Sequence, residues 1–216
     1  MLIFQPDREL LHRFVAKHAP TMRGKILDIG GGNRRYASLF TNAASFETLD
    51  IDPLQKPDIV ASVESLPIAD ATYDGLLCTQ VLGDVWDIRR AIGEMVRVLK
   101  PGGFLLITES LFNEEHDAPQ DFWRFTQYAL RKLLEPSCEI RALEARGGYF
   151  SQRAQQAIRY RIEKYDLYHR PILGRLAHVW ALAIGRIAIA RDRRDRSDAN
   201  QKFPIGYCLL ACKRTP

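Results

Sequence analysis

The spacing of apolar residues switches repeatedly between the period of a helix and that of a buried strand. An amphipathic helix is predicted within residues 1–20, because four apolar residues there share one helical face: Leu10, Leu11, Phe14 and Val15. The same pattern predicts seven strands, at 25–29, 45–50, 58–61, 73–79, 104–108, 139–146 and 203–213. It predicts further helices at 33–41, 87–99, 126–135, 151–168 and 172–191.

Strands and helices alternate with short connections, which is typical of an α/β fold with a doubly wound, mostly parallel sheet. We predict a single domain over residues 1–216, with its cofactor-binding core at 24–150. Some fifty residues separate the last two predicted strands, far more than a hairpin needs. Residues 151–200 are therefore predicted to form a helical insertion before the final strand at 203–213.

A glycine-rich turn follows the first predicted strand. Gly30 and Gly32 stand in this turn, and the second strand ends on Asp50, twenty-two residues after Asp28. Glycines let the backbone approach a ligand closely, and a carboxylate about 20 residues on can accept hydrogen bonds from both hydroxyls of a ribose. The pairing predicts a site for a nucleoside-bearing cofactor. Arg35 stands where a dinucleotide-binding loop has its third glycine, which disfavours NAD.

Five short motifs occur in order: Asp28-x-Gly30-x-Gly32, then residues 49–53, 62–68, 73–77 and 97–103. Over residues 24–150 they resemble the motifs of class I S-adenosylmethionine-dependent methyltransferases, of the small bacterial, type 11-like kind. The Lys-Pro-Gly-Gly string at 100–103 is the most specific of these matches. The resemblance implies a Rossmann-like sheet of seven strands, mostly parallel with an antiparallel last strand. It also implies S-adenosylmethionine as the cofactor.

The resemblance assigns roles to single residues. In the family, the carboxylate that matches Asp28 holds the glycine loop in position and reaches the amino group of the cofactor's methionine part. The residue that matches Asp50 binds the ribose. The alternatives are loop capping for Asp28 and an ordinary tight turn for the glycines. Arg34 stands where the family often has glycine, a departure that is tolerable if Arg34 already lies in the next helix. The predicted cofactor-binding residues are Asp28, Gly30, Gly31, Gly32, Asp50, Ile51, Ser62, Val63, Thr79 and Gln80.

Residues 109–128 follow the fifth predicted strand, at the sheet edge where open α/β proteins bind ligands. This segment resembles one found in small bacterial methyltransferases linked to cell-surface glycan or lipid pathways. We predict His116 as a general base, since histidine titrates in the required range; Asp121, the second predicted catalytic residue, and Asp84 are the alternative bases. The alternative is a packed lid on which Asp121 pairs with Arg124. The predicted acceptor-binding residues are Asp84, Trp123, Arg124 and Tyr128.

Charge and composition narrow the class of partner. The net charge of +5 comes from residues 151–200, which carry eleven Lys/Arg against five Asp/Glu, so that the rest of the chain sums to −1. Acidic residues interrupt every basic stretch, which disfavours nucleic acid. The four cysteines show no C-x-x-C spacing, so neither a metal site nor a disulfide framework is predicted.

Two features bear on location. The apolar run at residues 1–4 is too short for a signal peptide, so a cytoplasmic protein is predicted. The predicted helix at 172–191 precedes an arginine-rich run, and it either packs on the core or lies in a membrane interface. Peripheral membrane contact through residues 172–196 therefore stays open, as does the oligomeric state.

These observations predict methyl transfer from S-adenosylmethionine to a small-molecule or glycan/lipid-intermediate acceptor. We expect the acceptor to be methylated at oxygen, by in-line displacement. The sulfonium of the cofactor is already activated, so alignment of the acceptor with the methyl group supplies most of the rate. Two alternatives remain: a catalytically inert, methyltransferase-like binding scaffold and an NAD-dependent oxidoreductase.

Overall fold

Strands and helices alternate along residues 3–215, the part of the chain that this computed structural model describes. The strands are β1 (Gly24–Ile29), β2 (Ala43–Asp50), β3 (Ile59–Val60), β4 (Tyr73–Thr79), β5 (Leu99–Ser110), β6 (Cys138–Arg146) and β7 (Gly206–Lys213). The helices are α1 (Pro6–His18), α2 (Ile88–Val98), α3 (Gln127–Leu134), α4 (Tyr149–Tyr165), α5 (Pro171–Arg194) and α6 (Asp198–Gln201).

All seven strands form one sheet, in the order β3-β2-β1-β4-β5-β7-β6. β1 pairs in parallel with both β2 and β4, and further parallel pairs join β2 to β3 and β4 to β5. The last strands are antiparallel, so the predicted fold class is confirmed. The strand order reverses between β1 and β4, and ligands of open α/β sheets bind at such a switch point.

The described residues divide into two compact units. The sheet unit contains residues 14–110, 115–144 and 207–215. The helical unit contains residues 3–13, 111–114 and 145–206. The helical unit contains the whole of the predicted insertion at 151–200. The assignment of residues 1–216 to a single domain stays a prediction.

The centre of the sheet unit is apolar on both faces of the sheet. Ile26, Leu27, Leu76, Leu77 and Leu106 have no exposed surface, as expected for parallel strands covered on both sides. α2 packs through a stripe at helical spacing formed by Ala91, Ile92, Met95 and Val98. Each fully buried leucine contributes roughly 1.5–3 kcal/mol, so this core holds the strand ends of the site in place.

One predicted helix is wrong. Residues 33–41 contain only a short 3-10 turn at Ala37–Leu39. Arg34 has a φ of 51°, a left-handed conformation that a right-handed helix cannot contain and that glycine adopts most easily. The family's frequent glycine at this position is thereby explained. The guanidinium of Arg34 donates to both oxygens of Asp58 and to the carbonyl of Phe46, which accounts for an arginine being accommodated here.

The fifth strand begins earlier than predicted. Tyr73 pairs with Leu99 and Gly75 pairs with Phe104, so four residues bulge out of the ladder. Gly102 lies in that bulge with a φ of 77°. The Lys-Pro-Gly-Gly string therefore makes a bulged entry into β5 rather than a turn that precedes it.

The helical unit has its own small core. α4 and α5 pack together around Ile158, Ile162, Leu167 and Ala181, with Ile3 in the same cluster. The buried face of α5 carries small residues, and a Cβ on Gly185 would lie 2.5 Å from the ring of Phe4. Two helices in this segment agree with the prediction for 151–168 and 172–191.

Candidate active site

A cavity of about 860 Å³ opens at the carboxyl ends of β1, β2 and β4 in the sheet unit. Four segments line it: the glycine loop, the residues that follow β2 and β3, the turn after β4, and residues 116–120. It brings together ten of the predicted site residues: Gly30, Gly32, Asp50, Ile51, Ser62, Val63, Gln80, Asp84, His116 and, through its contact with His116, Asp121. Asp28, Gly31 and Thr79 line a smaller adjoining cavity of about 120 Å³.

The glycine loop has no room for side chains. A Cβ on Gly30 would lie 2.3 Å from Val81 Cγ2, and one on Gly32 would lie 2.3 Å from Gln55 Cβ. Gly30 also has a φ of 73°, which favours glycine. The loop therefore presents bare backbone to the cavity, as a bound nucleoside with an amino-acid tail requires.

Asp28 is a buried carboxyl at the end of β1. Its residue is 1% exposed, and both carboxyl oxygens lack a hydrogen-bond partner among the described residues. Burial raises the pKa of Asp28 to about 8, although Arg35 opposes the shift. A buried carboxyl without a donor is unfavourable as an anion, so the position suits a ligand that brings a positive charge.

Asp50 ends β2 and lies on the wall of the large cavity. Its Oδ1 accepts a hydrogen bond of 3.0 Å from the backbone N–H of Asp52, which fixes the carboxylate. Asp52 itself caps the next turn by accepting from the N–H of Leu54 at 2.9 Å. The second oxygen of Asp50 would lie 3.2 Å from a Cβ on Gly32. The carboxylate and the bare loop thus face the same space.

The segment after β3 also lines the cavity, and in it Val63 is buried and Ser62 is half-buried. The hydroxyl of Ser62 accepts from the backbone N–H of Glu64 at 3.2 Å. Glu64 in turn accepts from the N–H of Asp87 at 2.8 Å. The segment is therefore a preformed turn that lines the cavity with one apolar and one polar side chain.

The turn after β4 is held by a residue that sequence analysis missed. Glu109, buried in β5, accepts hydrogen bonds from the N–H groups of Val81 and Leu82, at 3.2 and 2.9 Å. Gln80, with a φ of 57°, is anchored by Thr108 and Ser110. An acidic residue at the end of an apolar strand was the available signal for Glu109.

The side chain of His116 lies beside three carboxylates. Its Nδ1 and its backbone nitrogen both lie 3.1 Å from Oδ2 of Asp121. Its Nε2 lies 3.8 Å from Oδ1 of Asp84 and 3.7 Å from Oδ2 of Asp117. We assign the ring proton to Nδ1, because Asp121 accepts there, and this leaves Nε2 able to take a proton.

Asp121 is itself held by Arg124. The guanidinium binds both carboxylate oxygens, with Nη2 at 2.8 Å from Oδ2. The side chain of Asp121 is 3% exposed, and the hydrogen bonds from Arg124 keep the pKa of Asp121 well below its usual range. Burial raises the pKa of Asp84. Beside the same imidazole, the pKa of Asp121 is thus lowered and that of Asp84 is raised, and Asp121 is the permanent anion.

Three of the predicted acceptor-binding residues do not line the large cavity. Arg124 acts on Asp121, and Tyr128 is largely exposed on α3. The rings of Trp123 and Trp86 pack with centroids 6.1 Å apart. The N–H of Trp123 donates to the carbonyl of Gly83 at 3.0 Å. The contact with Trp86, which sequence analysis missed, agrees with the lid alternative for Trp123, and the acceptor-binding role of Trp123, Arg124 and Tyr128 stays a prediction.

One oxygen or nitrogen atom from each of Asp84, His116 and Asp121 lies within 4.8 Å of the others, a spacing that could hold a metal ion. The guanidinium of Arg124 already binds both oxygens of Asp121, and its positive charge opposes a second cation. The absence of a metal from the reaction stays a prediction.

The comparisons with known proteins concern the same part of the chain. Residues 27–107 match a family model described as a methyltransferase domain. The match covers 81 of the 216 residues, so it assigns a similarity to methyltransferase domains to this part of the chain. The match begins one residue before Asp28 and ends inside β5, so it covers the cofactor side of the cavity and stops before His116.

Among the curated relatives, demethylmenaquinone methyltransferase of Paenarthrobacter aurescens is 30% identical over 122 residues, covering 50% of this chain and 46% of the relative. The ubiquinone/menaquinone biosynthesis C-methyltransferase UbiE of Marinomonas sp. is 32% identical over 148 residues, covering 57% and 58%. The chain thus spans about half the length of the curated relatives it matches.

Solved structures show the same fold at low identity. The [4+2]-cyclase SpnF superposes with a TM-score of 0.64 at 23% identity, covering 97% of this chain and 82% of that chain. Phosphoethanolamine N-methyltransferase 2 of Haemonchus contortus, in complex with S-adenosyl-L-methionine, gives 0.57 at 13% identity, covering 96% and 53%. At these identities the comparison establishes the fold alone.

Proposed function

We propose that the protein transfers a methyl group from S-adenosylmethionine to the hydroxyl oxygen of a small-molecule or glycan/lipid-intermediate acceptor. One observation carries the proposal. A single cavity is lined by the glycine loop and Asp50, which we call the cofactor wall, and by Asp84 and His116, which we call the acceptor wall. Predicted cofactor-binding residues and a candidate base thus line the same cavity.

The residues on the cofactor wall fit the cofactor. Asp28 is a buried carboxyl without a hydrogen-bond donor, and the methionine part of the cofactor carries an ammonium group. Asp50 offers carboxylate oxygens to a ribose diol, beside a loop in which any Cβ would clash. When bound, S-adenosylmethionine supplies a methyl group on a sulfonium, a leaving group that needs no activation by the protein.

The acceptor wall supplies what a hydroxyl acceptor needs. His116 Nε2 can take the hydroxyl proton while the oxygen attacks the methyl group. The imidazolium that forms is stabilised by Asp121, whose anionic form Arg124 maintains. Asp121 is thus a positioning residue for His116, and Arg124 acts through Asp121.

The relatives favour a second candidate reaction. One relative is named a C-methyltransferase of ubiquinone/menaquinone biosynthesis, and another is named a demethylmenaquinone methyltransferase. Removal of a phenolic proton by His116 would serve that reaction equally, because the resulting phenolate is nucleophilic at its ring carbon as well as at oxygen. The acceptor atom that points at the methyl group decides between the two outcomes, and methylation at a ring carbon needs one further step, the loss of the proton from that carbon to a base, which restores the aromatic ring.

The test is a methyl-transfer assay with radiolabelled S-adenosylmethionine and a panel of aliphatic alcohols, catechols and hydroquinones bearing polyprenyl or glycosyl groups. We expect labelled product from a hydroxyl-bearing acceptor, and mass spectrometry of fragments then assigns the methyl group to oxygen or carbon. Calorimetry with S-adenosylmethionine and with NAD runs in parallel. Tight binding of S-adenosylmethionine with no turnover on any acceptor would favour the inert scaffold, and binding of NAD alone would favour the oxidoreductase.

A further inference from the structure

Helix α5 of the helical unit presents an apolar stripe to solvent. Ile172, Leu176, Val179 and Ile187 are between 54% and 75% exposed, and at 100° per residue they fall within an arc of about 80°. The opposite face packs inward through small residues: Gly174, Ala181, Gly185 and Ala188. The stripe is thus a lengthwise apolar surface on a helix that is already anchored on its other side.

A row of arginines borders the stripe. Arg175, Arg186 and Arg193 are exposed and lie within about 20° of one another around the helix. No acidic residue occurs between Asp166 and Asp192. Asp192 is committed elsewhere, since it accepts hydrogen bonds from the N–H groups of Gly148 and Ser151, at 2.9 Å each.

The same unit also carries exposed aromatic residues near the loop that joins α4 to α5. Tyr160 and Tyr165 at the end of α4 are exposed, and Tyr168 precedes α5. The ammonium of Lys164 lies 5.4 Å from the ring centroid of Tyr160 and 5.3 Å from that of Tyr165. Tyrosine and basic residues beside an apolar stripe are typical of the boundary between lipid headgroups and acyl chains.

We propose that α5 lies flat on an anionic lipid bilayer, with the apolar stripe in the acyl boundary and the arginines among the headgroups. By length and composition α5 could also cross a membrane. Its inner face, however, is packed within the helical unit, and five exposed arginines occur along its length: Arg175, Arg186, Arg191, Arg193 and Arg194. A second copy of the chain is a poorer occupant, because pairing two such stripes would bring arginine rows together with no acidic residue in the stripe to neutralise them.

The test is flotation of the full chain with vesicles of phosphatidylcholine alone and of phosphatidylcholine mixed with phosphatidylglycerol. The vesicles contain no methyl acceptor and no cofactor, so failure here is distinguishable from failure of the proposed reaction. We expect the chain to float with the anionic vesicles and to stay largely unbound with the neutral ones. Sedimentation velocity of the lipid-free protein gives its oligomeric state.

Two double variants separate the contributions of positive charge and of apolar contact to vesicle binding. Arg175→Gln with Arg186→Gln should weaken binding to anionic vesicles roughly 20-fold, since each basic residue near an anionic surface contributes about fivefold. Leu176→Gln with Val179→Gln should weaken it about tenfold or more, because the stripe loses its apolar contact. Arg89→Gln with Arg90→Gln, on the exposed side of α2, makes the same change in net charge and should leave binding unchanged.

The proposal is overturned if the wild-type chain stays unbound, or if the α2 variant loses binding as much as the α5 arginine variant. It is also overturned if the wild-type chain is a dimer that does not float and the Leu176/Val179 variant is a monomer. Thermal unfolding followed by circular dichroism shows that each variant is folded. A variant that fails to fold is replaced by the single substitution Val179→Gln, for which the same loss of flotation is expected.

Discussion

The buried carboxyl of Asp28 makes a prediction that concerns both stability and cofactor binding. In the folded protein burial raises the pKa of Asp28 to about 8 from its ordinary value of 3.8. Between these two pH values the folded chain keeps a proton that the unfolded chain has lost. The contribution of Asp28 to stability is therefore fully present below about pH 4 and is lost as pH rises through 8.

The size of the effect follows from this shift. In that window each unit of pH lowers the free energy of unfolding by about 1.4 kcal/mol. Between pH 5.5 and pH 8 the loss from Asp28 alone is on the order of 3 kcal/mol. The substitution Asp28→Asn keeps the shape of the neutral carboxyl and removes the titration. The difference in stability between variant and wild type should therefore grow by this amount over that range, in favour of the variant.

Urea unfolding of both proteins at pH 5.5, 7 and 8 measures this difference directly. The exposed residue Asp198 provides the control, since Asp198→Asn should track the wild type at every pH. If wild type and Asp28→Asn show parallel pH profiles, Asp28 does not carry the buried proton. Calorimetry at pH 7 in buffers of different ionisation enthalpy adds a second measurement. Binding of S-adenosylmethionine should release up to one proton from the wild type and none from Asp28→Asn, because an ammonium partner favours the anion.

Four further predictions follow. Asp50→Ala should raise the dissociation constant for S-adenosylmethionine about tenfold or more, because the diol loses its acceptor; unchanged calorimetric affinity would refute this. His116→Gln should lower kcat by about 10²–10⁴-fold with cofactor affinity kept, and near-wild-type single-turnover rates would contradict the role of base. Turnover should be insensitive to EDTA; a loss of turnover in EDTA that added Mg²⁺ reverses would instead show a metal site. Asp7→Asn should destabilise the helical unit by roughly 3–5 kcal/mol, because Arg146, 3.0 Å away, is almost fully buried; urea unfolding measures this.

The parts of the fold that followed from the sequence are those governed by local rules. β4 was predicted with its observed bounds and α2 within one residue at each end, since periodicity and Asp87 as helix cap specify them locally. The helix expected at 33–41 failed because one residue, Arg34, adopts a left-handed conformation stabilised by Asp58, a residue distant in sequence. Such a contact is invisible to a local pattern.

The site also has parts that local sequence patterns predict and parts that depend on contacts between distant residues. The predicted cofactor-binding residues belong to strand ends and a glycine loop, whose spacing is visible in the sequence, and most of them line the cavity. The buried state of Asp28 and the support that Glu109 gives to the turn after β4 depend on how strands pack together. Only the arrangement of β4 beside β5 brings Glu109 to the N–H groups of Val81 and Leu82.

The two walls of the cavity carry different information about function. The cofactor wall, together with Asp28 in the adjoining cavity, belongs to the matched residues 27–107, so under the proposed function these residues select the methyl donor. The acceptor wall depends on side chains from the turn after β4 and from residues 116–124, where Arg124 fixes Asp121 and Asp121 fixes His116. Because these residues act in series, loss of Arg124 should impair turnover through the orientation of His116 and leave cofactor affinity intact. The identity of the acceptor must therefore be sought in this chain of contacts and not in the glycine loop.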